Sequence, residues 1–188
     1  EEICEHLIGH DHDEETEYDE HVWLSLRNAK MICETITDAL CALDPAHAVD
    51  YRANDVVYED QLSALDVKYQ EVTNNSARRT ILFADRFPFR YLADDYSLTY
   101  YAAFVGCSAE TEASFETIAF LAKKVDELKL PCVLTIEGAQ HKIAETIVKN
   151  TTAQNQKVLT MDSMQSTTSK DVANGTTYLS VMEKNLSV

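Results

Sequence analysis

The sequence predicts an α/β fold in which a parallel sheet follows one long helix, and three observations carry that expectation. Short apolar runs alternate with amphipathic stretches from residue 79 to the end, the pattern of strand–helix units in a sheet covered on both faces. Residues 46–73 keep helical apolar spacing without a break. The 188 residues are 45% hydrophobic and include only 4 Gly and 3 Pro, enough for a core and too few turn-formers for a loop-rich fold.

Residues 1–20 show no apolar periodicity and read as an acidic, histidine-containing loop. "HVWLS" (21–25) is a short extended or turning segment, with Ser25 and Asn28 as competing helix caps. Ala29, Ile32, Cys33, Ile36, Ala39, Leu40 and Leu43 predict a helix over about 28–43, ended by "LDP". Tyr51, Val56, Tyr58, Leu62, Leu65 and Tyr69 mark the helix over 46–73, which at about 1.5 Å per residue reaches roughly 42 Å. That length suits either a spine between two lobes or an ordinary bundle helix. After the break at "TNNSARR", strands are expected at 79–85, 98–106, 131–138 and 156–163. Helices are expected at 88–96, 111–129, 140–151 and, across Gly175, 170–186.

The formal charge of −16 is uneven: residues 1–20 carry ten acids and no base, and the remainder nets −6. Nothing basic is clustered, which argues against nucleic acid and against docking on anionic lipid. An acidic tract instead concentrates cations. No apolar run of 18 residues exists to span a membrane. The five cysteines include no CxxC pair, so a cysteine zinc ribbon is unsupported, and Cys33 and Cys41 lie too far apart along one helix to bridge. No signal peptide or lipidation motif is visible.

In open parallel sheets, ligands bind beyond the carboxyl ends of the strands. Three predicted strand ends carry acids: Asp85, Glu137 and Asp162. With His21, Asp85 and Asp162 offer mixed nitrogen and oxygen ligation suited to Zn²⁺ and also Mn²⁺. Read from spacing alone, His21 is equally a buried structural histidine, and the acids are equally caps of following helices. Glu137 is an accessory candidate, and His141 in "EGAQH" could face the crevice or solvent. His10 and His12, flanked by Asp11 and Asp13, form a metal-catching tract or a solvated loop. No GxSxG, HExxH or glycine-rich nucleotide fingerprint is present, which favours binding over turnover.

The stretches "YDEHVWLSLRNA" (18–29), "LDPAHAVDYRAN" (43–54), "FRYLADDYSLTYYAAFVGCSAETEAS" (89–114), "IEGAQHKIAETI" (136–147) and "VLTMDSMQS" (158–166) resemble the solute-binding proteins of ABC-type zinc and manganese uptake systems. The resemblance implies two α/β lobes joined by a long helix, with the metal held between them. It implies an extracytoplasmic, lipid-anchored receptor, monomeric when full length, that hands its metal to an ABC permease. On that basis 1–20 is the acidic loop, 21–43 the end of the first lobe, 44–76 the linker helix and 77–188 the second lobe. The opening of the first lobe, with its own metal-binding histidine, is then expected outside this chain.

By the same resemblance, His21 matches the family's second ligand and Asp162 an aspartate contributed late in the second lobe. The third position departs from the pattern. Where the family has H-x-A-F-x-Y, this chain reads "DRFPFRY" (85–91), which sets Arg86 at the ligand position. Arginine has no acceptor and stays charged, so Asp85 is expected to take over if the strand end shifts by one residue, with Arg86 alternatively pairing with Asp162 or Glu137. Zn²⁺ is the expected cargo and Mn²⁺ the alternative. The rival readings are a non-catalytic adhesion or interaction module with an acidic solubilising tail and, more remotely, a metallohydrolase, for which no base is assigned.

Overall fold

The computed structural model describes residues 19–105, 112–138 and 140–188. His10 and His12 therefore lie outside the described residues, as does most of the glycine-containing loop after the second strand. Among the described residues, no helix is long and apolar enough to cross a membrane.

The chain enters through a 3₁₀ turn, Val22–Leu24, and passes directly into α1, Leu26–Leu43. Ser25 is the cap: its Oγ accepts from the Asn28 N–H at 3.0 Å, satisfying one of the helix's unpaired amino-terminal donors. After a second 3₁₀ turn at Pro45–His47, α2 runs 28 residues from Ala48 to Asn75. Only Leu62, Leu65, Tyr69 and Thr73 of α2 are buried, all in its carboxyl-terminal half. The amino-terminal half is paired with α1 and leaves Val49, Val56 and Val57 exposed.

The α/β part follows as β1 (Thr80–Phe87), α3 (Arg90–Asp95), β2 (Thr99–Val105), α4 (Phe115–Leu128), β3 (Cys132–Ile136), α5 (Lys142–Lys149) and β4 (Lys157–Met161). The four strands form one parallel sheet in the order β2-β1-β3-β4. The chain leaves β1 for one neighbour and returns to the other side, so the switch in strand order falls between β1 and β3. The end of the chain is two helices, α6 (Ser169–Ala173) and α7 (Tyr178–Leu186), rather than the single helix expected over 170–186. Gly175 takes φ 96°, and Thr177 and Ser180 form a reciprocal capping box that starts a new helix.

Alternating side chains divide the core into two layers. Leu82, Ala84 and Val133 face α4 and α5, with Leu121, Val125, Ala144 and Ile147. Phe83, Phe87, Leu134 and Ile136 face the other way, against Leu24, Leu26, Leu62, Leu65, Tyr69 and Met182. Rings stack within this second layer, Phe87 on Tyr100 at 3.9 Å and Tyr69 on Tyr96 at 5.1 Å between centroids. The layer holds residues from the 3₁₀ turn, α1, α2, the sheet and α7 together, so the segment from residue 22 onward is built into the same core as the sheet.

Burial also governs the polar groups tying α1 and α2 to α3. The Asp95 carboxylate accepts from Ser25 Oγ at 2.6 Å, and Arg27 reaches it at 3.5 Å. Desolvation nevertheless dominates and holds Asp95 above the usual carboxylate range, with Ser25 and Arg27 pulling the other way. The Tyr96 hydroxyl donates to Asp66 at 2.8 Å, and burial together with that carboxylate drives its ionisation far above the ordinary phenol value.

Candidate metal centre

The site grows from the carboxyl ends of the strands. His21 is buried at 2% exposure, although it stands at the border of an acidic loop. Its Nδ1 lies 2.7 Å from Asp19 Oδ1, which also accepts the His21 backbone N–H at 2.8 Å. A carboxylate on Nδ1 holds the proton there and leaves the lone pair on Nε2, the tautomer that a metal-binding imidazole requires. Beyond Nε2 lies the carboxamide nitrogen of Gln165.

Three long-range hydrogen bonds pin this segment over the sheet. Tyr91 Oη donates to the Asp19 carbonyl at 2.9 Å. Trp23 Nε1 donates to the Ser163 carbonyl at 3.0 Å, and Tyr178 Oη to the Trp23 carbonyl at 2.7 Å. The indole of Trp23 sits 5.4 Å from the imidazole of His21, ring centre to ring centre.

Asp85 emerges where the register of β1 against β2 slips. Phe83 pairs with Ala102, but Arg86 pairs with Phe104. Two steps along β2 thus meet three along β1, a bulge that inserts one residue and re-aims its side chains. The bulge leaves Asp85 inside β1, two residues short of its end at Phe87. The Asp85 carboxylate accepts the Arg86 N–H at 2.8 Å, and Arg86 Nε lies 3.9 Å from it. Arg86 therefore pairs with Asp85, and neither Asp162 nor Glu137 is its ion-pair partner.

Asp162 opens the turn after β4. Its Oδ1 accepts the Met164 N–H at 2.8 Å, while its backbone is clamped on both sides by Asn185, whose Oδ1 accepts from Asp162 N and whose Nδ2 donates to Asp162 O, each at 2.8 Å. Met164 takes φ 64° at the apex, a left-handed conformation that a side chain tolerates only when its surroundings hold it. Glu137 supplies that hold. Its carboxylate accepts from Ser163 N and Oγ, both at 2.7 Å, and from Gln165 N at 3.1 Å. These three bonds organise the turn that carries Asp162 and Gln165. His141 sits apart: its Nδ1 is 3.1 Å from Thr135 Oγ1, on the strand face shared with Val133 and opposite to the second core layer.

Among the described residues, no three His, Cys, Asp or Glu side chains gather into a group able to hold a metal. What the fold brings together is the buried His21, with Asp19 at Nδ1 and Gln165 at Nε2, over the turn that opens with Asp162; Asp85 lies on β1, which β3 separates from β4. Asp19, Tyr91, Ser163, Gln165 and Tyr178 were not singled out by sequence reasoning. The signal for Asp19 was available in its position two residues before His21, and Gln165 stood inside the "MDSMQS" stretch.

Comparison with known proteins defines the class. The profile of the family described as "Zinc-uptake complex component A periplasmic" (ZnuA) matches residues 1–188, and the chain belongs to that family. The zinc-binding lipoprotein AdcA of Streptococcus pneumoniae is 34% identical over 180 residues, covering 94% of this chain and 35% of that protein. Among solved structures, the Zn(II)-bound ZnuA-like domain of Streptococcus pneumoniae AdcA superimposes with a TM-score of 0.73 at 32% identity, over 90% of this chain and 62% of that one. A Zn(II)-bound AdcAII variant from the same organism gives 0.75 at 28% identity, over 93% and 60%. The chain thus spans about a third of the curated relative and about three fifths of the solved domains.

Proposed function

We propose that this chain is part of an extracytoplasmic receptor that captures Zn²⁺, with Mn²⁺ as the weaker alternative, and delivers it to an ABC permease. The observation that carries the reading is His21: a buried imidazole whose proton is held on Nδ1 by Asp19, presenting Nε2 at the carboxyl edge of a parallel sheet. His21, Asp85 and Asp162 are the proposed metal contacts, with Glu137 holding the turn that bears Asp162. The activity is binding and delivery. The zinc-bound relatives AdcA and AdcAII support Zn²⁺ as the cargo, and imidazole with carboxylate oxygens suits it. The lipoprotein among the relatives supports a lipid-anchored, extracytoplasmic location.

The same reading divides the chain into an acidic loop (1–20), the end of a first lobe (21–43), a linker helix (44–76) and a second lobe (77–188). The exposed apolar side chains of α1 and the α2 start support it. Met31, Ile36, Leu43 and Val49 are all more than half exposed, Leu43 at 83%, and such a face calls for a covering layer. The rest of a first lobe would cover it and add a further metal ligand.

The test is calorimetric. The chain, joined to a first lobe taken from a zinc-binding relative, is stripped of metal and titrated with Zn²⁺ and Mn²⁺, then again as His21→Ala and Asp85→Ala. One tight Zn²⁺ event, weakened by both substitutions and tighter than Mn²⁺, is the expected outcome. The absence of a tight event with either metal overturns the reading.

A further inference from the structure

The turn after β4 delivers an uncharged side chain to the atom that the capture reading needs most. Gln165 is anchored through its backbone N–H to Glu137, and its carboxamide nitrogen meets His21 Nε2. With the imidazole proton on Nδ1 toward Asp19, Nε2 is an acceptor and the Gln165 amide is the donor. A cation bound at Nε2 would have to occupy the same lone pair.

Resting on the capture reading, we propose that Gln165 is an internal competitor for His21: its amide N–H occupies the lone pair until a cation displaces it. The competitor is neutral, so it attracts no metal as a carboxylate would. It is tethered, because Glu137 also accepts from Ser163 N and Oγ, which fixes the base of the turn. It also joins the segment bearing His21 to the far end of the sheet, alongside the Trp23–Ser163 bond. Displacing it costs the same for every metal that needs His21. The competitor therefore lowers all such affinities by one common factor and leaves their ratio unchanged. A net hydrogen bond of this kind corresponds to about a 2- to 10-fold loss of affinity.

The experiment uses the chain joined to the first lobe of a zinc-binding relative, as in the calorimetric test, labelled with ¹⁵N, and the metals alone. In the metal-free protein, the Gln165 side-chain amide is expected to show a scalar coupling to His21 Nε2, and that coupling is expected to vanish as Zn²⁺ is added. Gln165→Ala is then expected to bind Zn²⁺ and Mn²⁺ each about 2- to 10-fold more tightly, with their ratio unaltered. Gln165→Leu, which keeps the volume, should behave the same way and controls for a collapsed turn. Weaker Zn²⁺ binding in both variants overturns the proposal by making Gln165 a ligand, and unchanged affinity overturns it by making the contact incidental. If the unsubstituted chain binds Zn²⁺ normally in either case, only the competitor role falls. If no variant binds Zn²⁺ even though the coupling is present, the capture reading falls and the competitor role falls with it.

Discussion

Replacing Ser25 with alanine removes two interactions with one atom. The hydroxyl caps α1 through the Asn28 N–H at 3.0 Å and donates to Asp95 Oδ2 at 2.6 Å, and Ser25 is 1% exposed. Losing such a cap costs about 1 kcal/mol. Losing a hydrogen bond to a partly buried carboxylate costs about 1.5–3 kcal/mol, and the lower end applies because Arg27 stays 3.5 Å away and half exposed. The sum is about 2–3 kcal/mol at neutral pH. For a chain of this size that corresponds to a fall of roughly 5–10 °C in Tm.

The loss also carries a pH signature. Burial already raises the Asp95 pKa, and Ser25 is the largest influence lowering it, so the substitution raises it further. A carboxyl group with a raised folded pKa binds more protons in the native state, so its cost is absent below the unfolded pKa, near 4, and grows as pH climbs through the folded value. The Ser25→Ala deficit should therefore be larger at pH 7 than at pH 4. Urea unfolding, followed by the fluorescence of Trp23, the only tryptophan in the chain, measures both. A deficit below about 0.5 kcal/mol, or one that does not change with pH, refutes the account of Asp95.

Four further outcomes are expected. Asp19→Asn should weaken Zn²⁺ binding about 10-fold through the orienting partner of His21, read by calorimetry, with little change in the urea midpoint. Tyr178→Phe removes the 2.7 Å bond to the Trp23 carbonyl and should cost about 1 kcal/mol by denaturant unfolding. Leu62→Ala, at a fully buried position of α2, should cost about 3 kcal/mol by the same assay. Zn²⁺ should change the emission of Trp23, whose ring lies 5.4 Å from His21, and His21→Ala should abolish that change.

Much of the fold was legible because each signal was local. The strands were found from apolar runs and the helices from periodicity, with ends that moved by a few residues. Residues 111–129 shrank to α4, Phe115–Leu128, because Ser114 caps the helix through the Thr117 N–H. β1 continued past Asp85 to Phe87 because the bulge keeps the strand paired beyond the expected stop. The split of 170–186 depended on Gly175 adopting positive φ and on Thr177 capping a new helix, and the glycine alone signalled only a weakness.

The candidate site was less legible. His21 stood out by its neighbours, and Asp85 by the arginine beside it. Gln165, the partner at His21 Nε2, comes from 144 positions away, and spacing along the chain carries no information about it. Glu137 was visible as a strand-end acid, but its three donors on the 163–165 turn follow from the adjacency of β3 and β4, which no local pattern announces.

The Trp23–Ser163 and Tyr178–Trp23 bonds join partners 140 and 155 positions apart, and the Gln165 contact spans 144. During synthesis the amino-terminal member of each pair emerges long before the other. A ribosome that stops short of residue 163 releases a chain that holds His21 but none of these distal partners. Closing loops of this length is also entropically slow, so the centre is among the last features to form. Its completion therefore reports that translation has passed Tyr178.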